Sequence, residues 1–421
     1  MTAKIYDIAI IGAGAAGLVS AISAAQTSDK IKVVLLESND RVGKKILATG
    51  NGKCNLANTD EDVKSNYFSY DVSFIEKVFE KINYKDNLKF FSELGLVCRT
   101  DDEGRIYPYS QHASSVLDCL RNECDRLGVE TICSFKTNLI KKNINNFIIS
   151  SDNSTIICNS LIVATGGMSY LINKKSLSGY DILKSFGHKT TELYPALVAL
   201  KTDAPIKSLK GIRSPAVVSL FENGKKVQSE SGEVQFTEHG ISGIAVMQLS
   251  QRVSRGNVQN NRIKFDVSID LMPSHTEDEI MSIINSNVKR SPETLTVELL
   301  CGIFHKMLAR AIAIKALNGR LPERSNLLTQ EQIINISRTI KDFRFKVTST
   351  MGFSNSQVTG GGVMLDTFSP YTMESTVVEG LYAVGEVLDV VGACGGFNLN
   401  WSWSSGRIAG ESAAKRSVKN D

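Results

Sequence analysis

The N-terminal third of the chain alternates between uninterrupted apolar runs and amphipathic stretches. Residues 5–11, IYDIAII, are β-branched and almost wholly apolar, which predicts a strand buried on both faces. Residues 14–27 are alanine-rich and predict a helix, and 31–36, IKVVLL, predict a second buried strand ending at Glu37. Together they make a βαβ unit of the expected length, ~30 residues. Helical periodicity returns over 72–95 and 113–127, where Leu117, Leu120 and Leu127 share a face. Strand-like stretches near 129–135 and 146–149 lead into 156–164, IICNSLIVA, a further buried strand that runs into Thr165-Gly166-Gly167.

From about 190 the pattern changes. Segments 196–201, 215–221, 226–236 and 262–269 are short, strand-like and punctuated by Gly, Asn and Pro, which predicts an antiparallel β domain. Residues 276–340 read as helices broken at Pro292 and Pro322, and glycine-rich strand character resumes over 345–421. The expected organisation is a nucleotide-binding domain in two parts, 1–190 and 345–421. Between them lie a β-rich insertion, 191–274, and a small helical one, 275–344.

Composition narrows the partners. A net charge of +4 in a chain of 421 residues, with both signs interspersed, gives no coherent basic surface, so neither a nucleic acid nor a membrane is expected as partner. The stretch Ile8–Ala25, apolar or small throughout, has the length of a signal sequence or membrane span, but spaced glycines break it and a second strand follows at once. A cytoplasmic protein is the expectation. The cysteines are scattered without a CxxC pair, and the histidines lack metal-ligand spacing, so no metal is expected. Oligomeric state is not legible.

The chemistry is carried by GAGAAG at 12–17. It follows a strand, opens a helix and leads to an acid at the end of the next strand. Gly12 permits the tight turn, Gly14 lets backbone approach a pyrophosphate, and Gly17 allows helix and strand to pack closely; Ala15 and Ala16 open the helix. Glu37 is placed to accept from ribose hydroxyls. Two later strand-turn segments separate FAD from NAD: Leu161–Gly167, with Ala164, Thr165 and Gly166 beside the dinucleotide, and Gly380–Glu386, where Gly385 and Glu386 are placed to reach the ribitol. A long, tightly bound cofactor needs contacts from several distant segments. The fold class expected is therefore α/β, a two-dinucleotide-binding, glutathione reductase-like Rossmann domain for FAD with an inserted antiparallel β domain and a small helical domain.

Several segments extend this reading: Arg41–Asn55 (RVGKKILATGNGKCN), Glu233–Gly243 (EVQFTEHGISG), Val358–Val363 with Thr372–Ser375, and Gly385–Asp389 continuing through Gly395–Asn400 to Ser405-Gly406. Over nearly its whole length the chain resembles the YhiN/BaiN-like flavoproteins, also called the aminoacetone oxidase family. The resemblance implies a non-covalent FAD and an oxidoreductase of the NAD(P)/FAD type. It also places Arg41, Gly43, Lys44 and Lys45 beside the FAD, Asn51, Gly52 and Asn55 near the flavin, and Gly396, Phe397, Asn398 and Leu399 against its pyrimidine end. Family members often carry Thr and Tyr where this chain has Cys394 and Phe397.

A general acid or base is harder to find. His239 in FTEHGISG is the candidate, against the alternative of a capping or packing histidine. Cys54 is either a redox partner of the flavin or a buried thiol, and Tyr107 and Tyr109 either line the pocket or pack. Lys44, Lys45 and Lys53 are either phosphate and loop contacts or a solvated face. The expected activity is hydride transfer between transiently bound NADH or NADPH and a small organic substrate through FAD. No second strand-GxGxxG-helix unit offers the nicotinamide a domain of its own, since Thr359-Gly-Gly-Gly362 lacks the spacing. Two alternatives stay open: an oxygen-using amine or aminoketone oxidase and a tRNA-modifying flavoprotein.

Overall fold

The computed structural model describes residues 3–169, 176–203, 207–259 and 262–420, and the chain divides into two compact units. The first comprises 1–194 and 357–421, the second 195–356.

The first unit is built on a parallel sheet. Its opening strand, β1 (Lys4–Ile11), lies between β2 (Val33–Leu36) and the strand Thr155–Val163, parallel to both. Every residue of β2 is buried, and Ile8, Ala9 and Ile10 of β1 are fully so, as expected of a strand covered on both faces. Glu130–Ile132 adds beyond β2 and Leu381–Ala383 beyond Leu161–Val163, both parallel. The first half of Thr155–Val163 instead pairs antiparallel with Phe147–Ser150, itself hairpinned to Leu139–Lys142. Helix α1 (Ala15–Thr27) follows β1, buried along most of its length.

Alongside α1 runs the C-terminal helix, Phe397–Asn420. Small residues permit this: a Cβ on Gly406 would lie 2.5 Å from Ala16 O, one on Gly410 2.2 Å from Ser20 O, and Ser20 Oγ donates to Gly406 O at 2.9 Å. The periodic stretch 72–95 forms two helices, Val72–Lys81 and Tyr84–Glu93. The break falls at Asn83, whose side chain accepts from the N–H groups of Lys85 and Asp86 while Asp86 returns a bond to Asn83 N–H. This capping box starts a new helix where hydrophobic periodicity alone runs on.

His188 is buried in this unit. Ser375 Oγ accepts from the N–H groups of Val377 and Val378, so its proton points to His188 Nε2 at 3.1 Å; Nδ1–H then donates to Thr367 Oγ1 at 2.8 Å. Burial, against a weaker opposing pull from Asp366, holds the imidazole below its ordinary value of 6.5. The folded state therefore resists protonation that the unfolded chain accepts. Stability from this group is intact above about pH 6.5 and falls as pH drops from there through the lowered folded value. Melting temperature is expected to decline below pH 6.5, with a shallower slope in His188→Gln; equal slopes would remove His188 as the cause.

The second unit is a closed six-stranded antiparallel barrel, in the order Leu200–Thr202, Gly240–Ser242, Lys225–Phe236, Arg213–Glu222, Phe265–Asp270 and Phe343–Thr350, the last pairing with the first. A 16-residue helix, Ile244–Gln259, lies inside the insertion expected to be β-rich, between the strand-like segments 226–236 and 262–269; it buries Val246, Leu249 and Val253. The helices between Phe265–Asp270 and Phe343–Thr350 share the barrel's core, with Ile280, Ile284, Ile312, Ile336 and Ile340 packed in one cluster with Val218, Leu220, Val267 and Phe345.

Candidate functional site

The site assembles in the first unit around the turn from β1 to α1. Gly12 has φ +101 and donates its N–H to Leu36 O at 2.8 Å; a Cβ there would fall 2.4 Å from Ala164 O. A Cβ on Gly17 would lie 1.8 Å from Gly12 O. Gly14 differs. It is the N-cap of α1, no side chain caps the helix, and no atom lies within 4 Å of the position its Cβ would take. Of the three fingerprint glycines, Gly14 alone has its missing side chain matched by open space, the arrangement needed for an anion resting on backbone N–H groups and the positive end of a helix.

Glu37, nearly buried, closes one side. Its Oε2 accepts from Ala13 N–H at 3.0 Å, and its Oε1 accepts from Asn39 N–H and Nδ2 at 2.8 and 2.7 Å. The carboxylate is thus fixed by backbone at the end of β2. Gly43 fastens the next loop to the same turn through its N–H to Ala13 O, 2.9 Å, and opens α2 (Lys44–Ala48) with φ +69. Lys44 pairs with Asp40. Lys45 pairs with Glu386, whose other oxygen accepts from Thr359 N–H at 2.8 Å. That joins two residues 341 positions apart that the sequence nominated separately. Gly385 sits over Ala16, with a would-be Cβ 2.9 Å from the alanine methyl, and Trp401 Nε1 donates to Gly385 O at 3.0 Å.

Beyond α2 the chain makes a tight turn in which Gly50, Asn51, Gly52 and Cys54 all have positive φ. Arg41, Asn51, Gly52 and Lys53 stay exposed, while Cys54 and Asn55 turn inward. Burial pushes the Cys54 thiol up to about 12, so at neutral pH it is protonated and packed, and none of the eight cysteines forms a disulfide. Asn55 Oδ1 points at Gly396, 2.7 Å from where a Cβ would be, and Gly396 rests on Ala57 O. Asn398 braces this loop, donating to Gly392 O and accepting from Gly392 N–H, both at 2.8 Å. The C-terminal helix makes its bond from Asn400 N–H to Gly396 O at 3.0 Å, so the N–H groups of Phe397, Asn398 and Leu399 precede the ladder.

Among the described residues, three buried polar atoms here have no protein partner: Asn55 Oδ1, Thr165 Oγ1 and Tyr180 OH. Buried polar groups are rarely left so. With the bare backbone at Gly14 and the fixed carboxylates of Glu37 and Glu386, they form a donor and acceptor set that fits an FAD. Sequence reasoning missed Thr359, which holds both Glu386 and, through Oγ1, the N–H groups of Met168 and Ser169 at 2.7 and 3.2 Å. It also missed Tyr180 and Asn58, whose Nδ2 donates to Gly395 O at 3.0 Å.

His239 belongs to the second unit. It is exposed, and with Lys201, Asp203, Lys207 and Glu238 it borders an open hollow of about 540 Å³ on the barrel. Among the described residues no group of three or more His, Cys, Asp or Glu is arranged for a metal ion, and no helix is long and apolar enough to cross a membrane.

The fold and the site define an FAD-dependent oxidoreductase with a Rossmann-type domain. More particularly, the chain belongs to the family described as the HI0933-like protein Rossmann domain, whose model matches residues 6–412, and to the YhiN/BaiN-like group its motifs resemble. It is 36% identical to the 3-dehydro-bile acid delta(4,6)-reductase of Clostridium scindens, covering 97% of this chain and 99% of that one. It is 30% identical to the ribosomal RNA dihydrouridine synthase of Haemophilus influenzae, covering 94% and 95%. The 3-ketosteroid delta1-dehydrogenase of Sterolibacterium denitrificans shares the fold at 10% identity, with a TM-score of 0.51 over 98% and 100% of the two chains.

Proposed function

We propose that this protein reduces a carbon–carbon double bond conjugated to a carbonyl in a small organic substrate, with NADH or NADPH as the electron source. The observation that carries the reading is chemical agreement between two end-to-end relatives. A delta(4,6)-reductase of a 3-dehydro compound and a dihydrouridine synthase both turn an electron-poor alkene beside a carbonyl into its saturated form. When bound, FAD supplies the two-electron chemistry such a reduction requires.

The residues of this chain have defined tasks in that reading. Gly12, Gly14, Ala15, Ala16 and Gly17 would seat the pyrophosphate on the start of α1, and Glu37 the adenosine ribose. Ala164, Thr165 and Gly166, with Gly385, Glu386 and Lys45, would line the middle of the cofactor; Lys45 neutralises Glu386 there. Gly43 and Lys44 shape the adjoining loop, with Arg41 on its rim. Asn55, reached through the Asn51-Gly52 turn, would meet the flavin edge with its unpartnered Oδ1. The N–H groups at Gly396, Phe397, Asn398 and Leu399 favour negative charge at the pyrimidine end.

The small-molecule form rests on the higher identity of the bile acid reductase. RNA is a second reading, supported by the Haemophilus influenzae relative. The test is anaerobic: NADH or NADPH should bleach the visible bands of the holoprotein, and a 3-oxo-Δ4 steroid should restore them. Restoration only by a uridine-rich ribosomal RNA fragment would move the assignment to RNA. Bleaching by aminoacetone, followed by peroxide release in air, would replace reductase with oxidase.

A further inference from the structure

A short three-stranded antiparallel sheet flanks the flavin loop, formed by Ala57–Asn58, Arg105–Pro108 and Cys98–Thr100. Its pairing places Asn58 opposite Arg105 and Arg99 opposite Tyr107. Residues directly opposite share a face and alternate residues along a strand do too, so Asn58, Arg105, Tyr107 and Arg99 stand on one side. The other side carries Ala57, Ile106, Cys98 and Pro108, of which Ala57, Ile106 and Pro108 are buried. The polar side abuts the flavin loop: Asn58 Nδ2 donates to Gly395 O at 3.0 Å, and Gly396 rests on Ala57 O.

The Arg105 side chain is only 17% exposed. Asp101 and Glu103 engage its Nε and Nη2, and the guanidinium fork has five N–H donors in all. Burial raises the Tyr107 phenol and outweighs Arg105 beside it, which pulls the other way. Tyr107 therefore keeps its proton and is a donor at neutral pH. Burial also raises the thiol of Cys394, next to Gly395, again against the pull of Arg105. A cation held by Asp101 and Glu103 and a protonated phenol beside it thus sit together at the edge of the flavin loop.

We infer that Arg105 and Tyr107 are the substrate-carbonyl site of this enzyme, two donors that bind the oxygen conjugated to the double bond. The inference rests on the reading above. In the reduction, the carbon remote from the carbonyl gains hydrogen with its electron pair, and the double-bond electrons move toward the carbonyl oxygen as an enolate. That oxygen holds negative charge until the carbon beside it takes a proton from water and the C=O bond reforms. The nicotinamide is the species oxidised. Donors fixed at the oxygen are stronger toward the enolate than toward the ground-state ketone, which is how they accelerate the step.

The test uses the holoprotein with Arg105→Met, Arg105→Lys and Tyr107→Phe. After anaerobic reduction, Arg105→Met is expected to slow reoxidation by the 3-oxo-Δ4 steroid roughly a hundredfold, the usual scale for one oxyanion donor. Reoxidation by ferricyanide, which needs no carbonyl recognition, stays within about twofold of wild type. Arg105→Lys recovers part of the loss because it keeps a charge without the fork, and Tyr107→Phe loses less than Arg105→Met. As a binding readout, a saturated 3-oxo steroid should perturb the flavin spectrum with an affinity at least roughly tenfold weaker in Arg105→Met. Wild-type behaviour of the methionine and lysine variants in both assays overturns the inference while leaving the proposed reaction intact. Failure of wild-type protein itself to be reoxidised by any enone overturns the proposed reaction, and this inference with it.

Discussion

Gly17→Ala is expected to yield protein that is colourless as purified and less stable than wild type. The new methyl would lie 1.8 Å from Gly12 O, a backbone atom that cannot step aside without moving the whole turn. Overpacking of this kind costs about 3 kcal/mol or more when backbone is the obstacle. Gly14→Ala is the matching control. Its Cβ meets no atom within 4 Å and its φ of −86 suits any residue, so the FAD-free protein should melt at the wild-type temperature. The methyl would nonetheless occupy the space in which a pyrophosphate must approach, and FAD affinity should fall at least roughly tenfold. Stoichiometric, tightly held FAD in Gly14→Ala would show that the pyrophosphate does not lie on this turn.

Asn87→Ala is the second large effect. Asn87 is 1% exposed and links two helices: its Nδ2 donates to Asn400 Oδ1 at 2.9 Å and Ser404 Oγ at 2.8 Å, and its Oδ1 accepts from Arg407 at 3.0 Å. Arg407 is otherwise held by Asp86 O and by the face of Phe90, 4.8 Å away. Burial already lowers the pKa of this guanidinium, and removing the amide leaves a half-buried charge and two buried side chains short of partners. A loss of about 3 kcal/mol follows from unsatisfied groups of this kind. The thermal transition of the first unit should move down by several degrees, with weaker flavin retention because Asn400 belongs to the helix that begins at Gly396-Phe397. An unchanged melting temperature would mean that water replaces the amide without cost.

The sheet and its cofactor class were legible because their signals are local. A strand buried on both faces must be apolar throughout, and GAGAAG states its own geometry within six residues. Glu37 needed only its place at the end of β2. The pairing of Lys45 with Glu386 was not legible, since each residue was sensible alone and nothing in a linear pattern couples positions so far apart. Asn58 and Arg105 escaped for a related reason. Their strands are two and four residues long, too short for alternation to register, and their meaning lies in pairing across the sheet. The helix Ile244–Gln259 was hidden by its neighbours: a strand-rich stretch with frequent glycine biased the reading, while its moderate amphipathicity gave little counterweight. Polar residues that hold backbone, such as Thr359 and Asn398, carry no sequence signature of that role.

The insertion of residues 195–356 divides the first unit in the chain but not in space. The strand Leu381–Ala383 and the helix Phe397–Asn420 are therefore made after the barrel, yet the former completes the sheet beside Leu161–Val163 and the latter packs along α1. During synthesis the barrel has all its strands before the Rossmann sheet does. The N-terminal turn, Glu37 and the Lys45 loop must wait for Glu386 and the 396–399 segment before a cofactor can be enclosed. If FAD lies where proposed, its capture is tied to the arrival of this last segment, and a chain cut short between the barrel and Leu381 would leave a folded insertion attached to an open, flavin-free sheet.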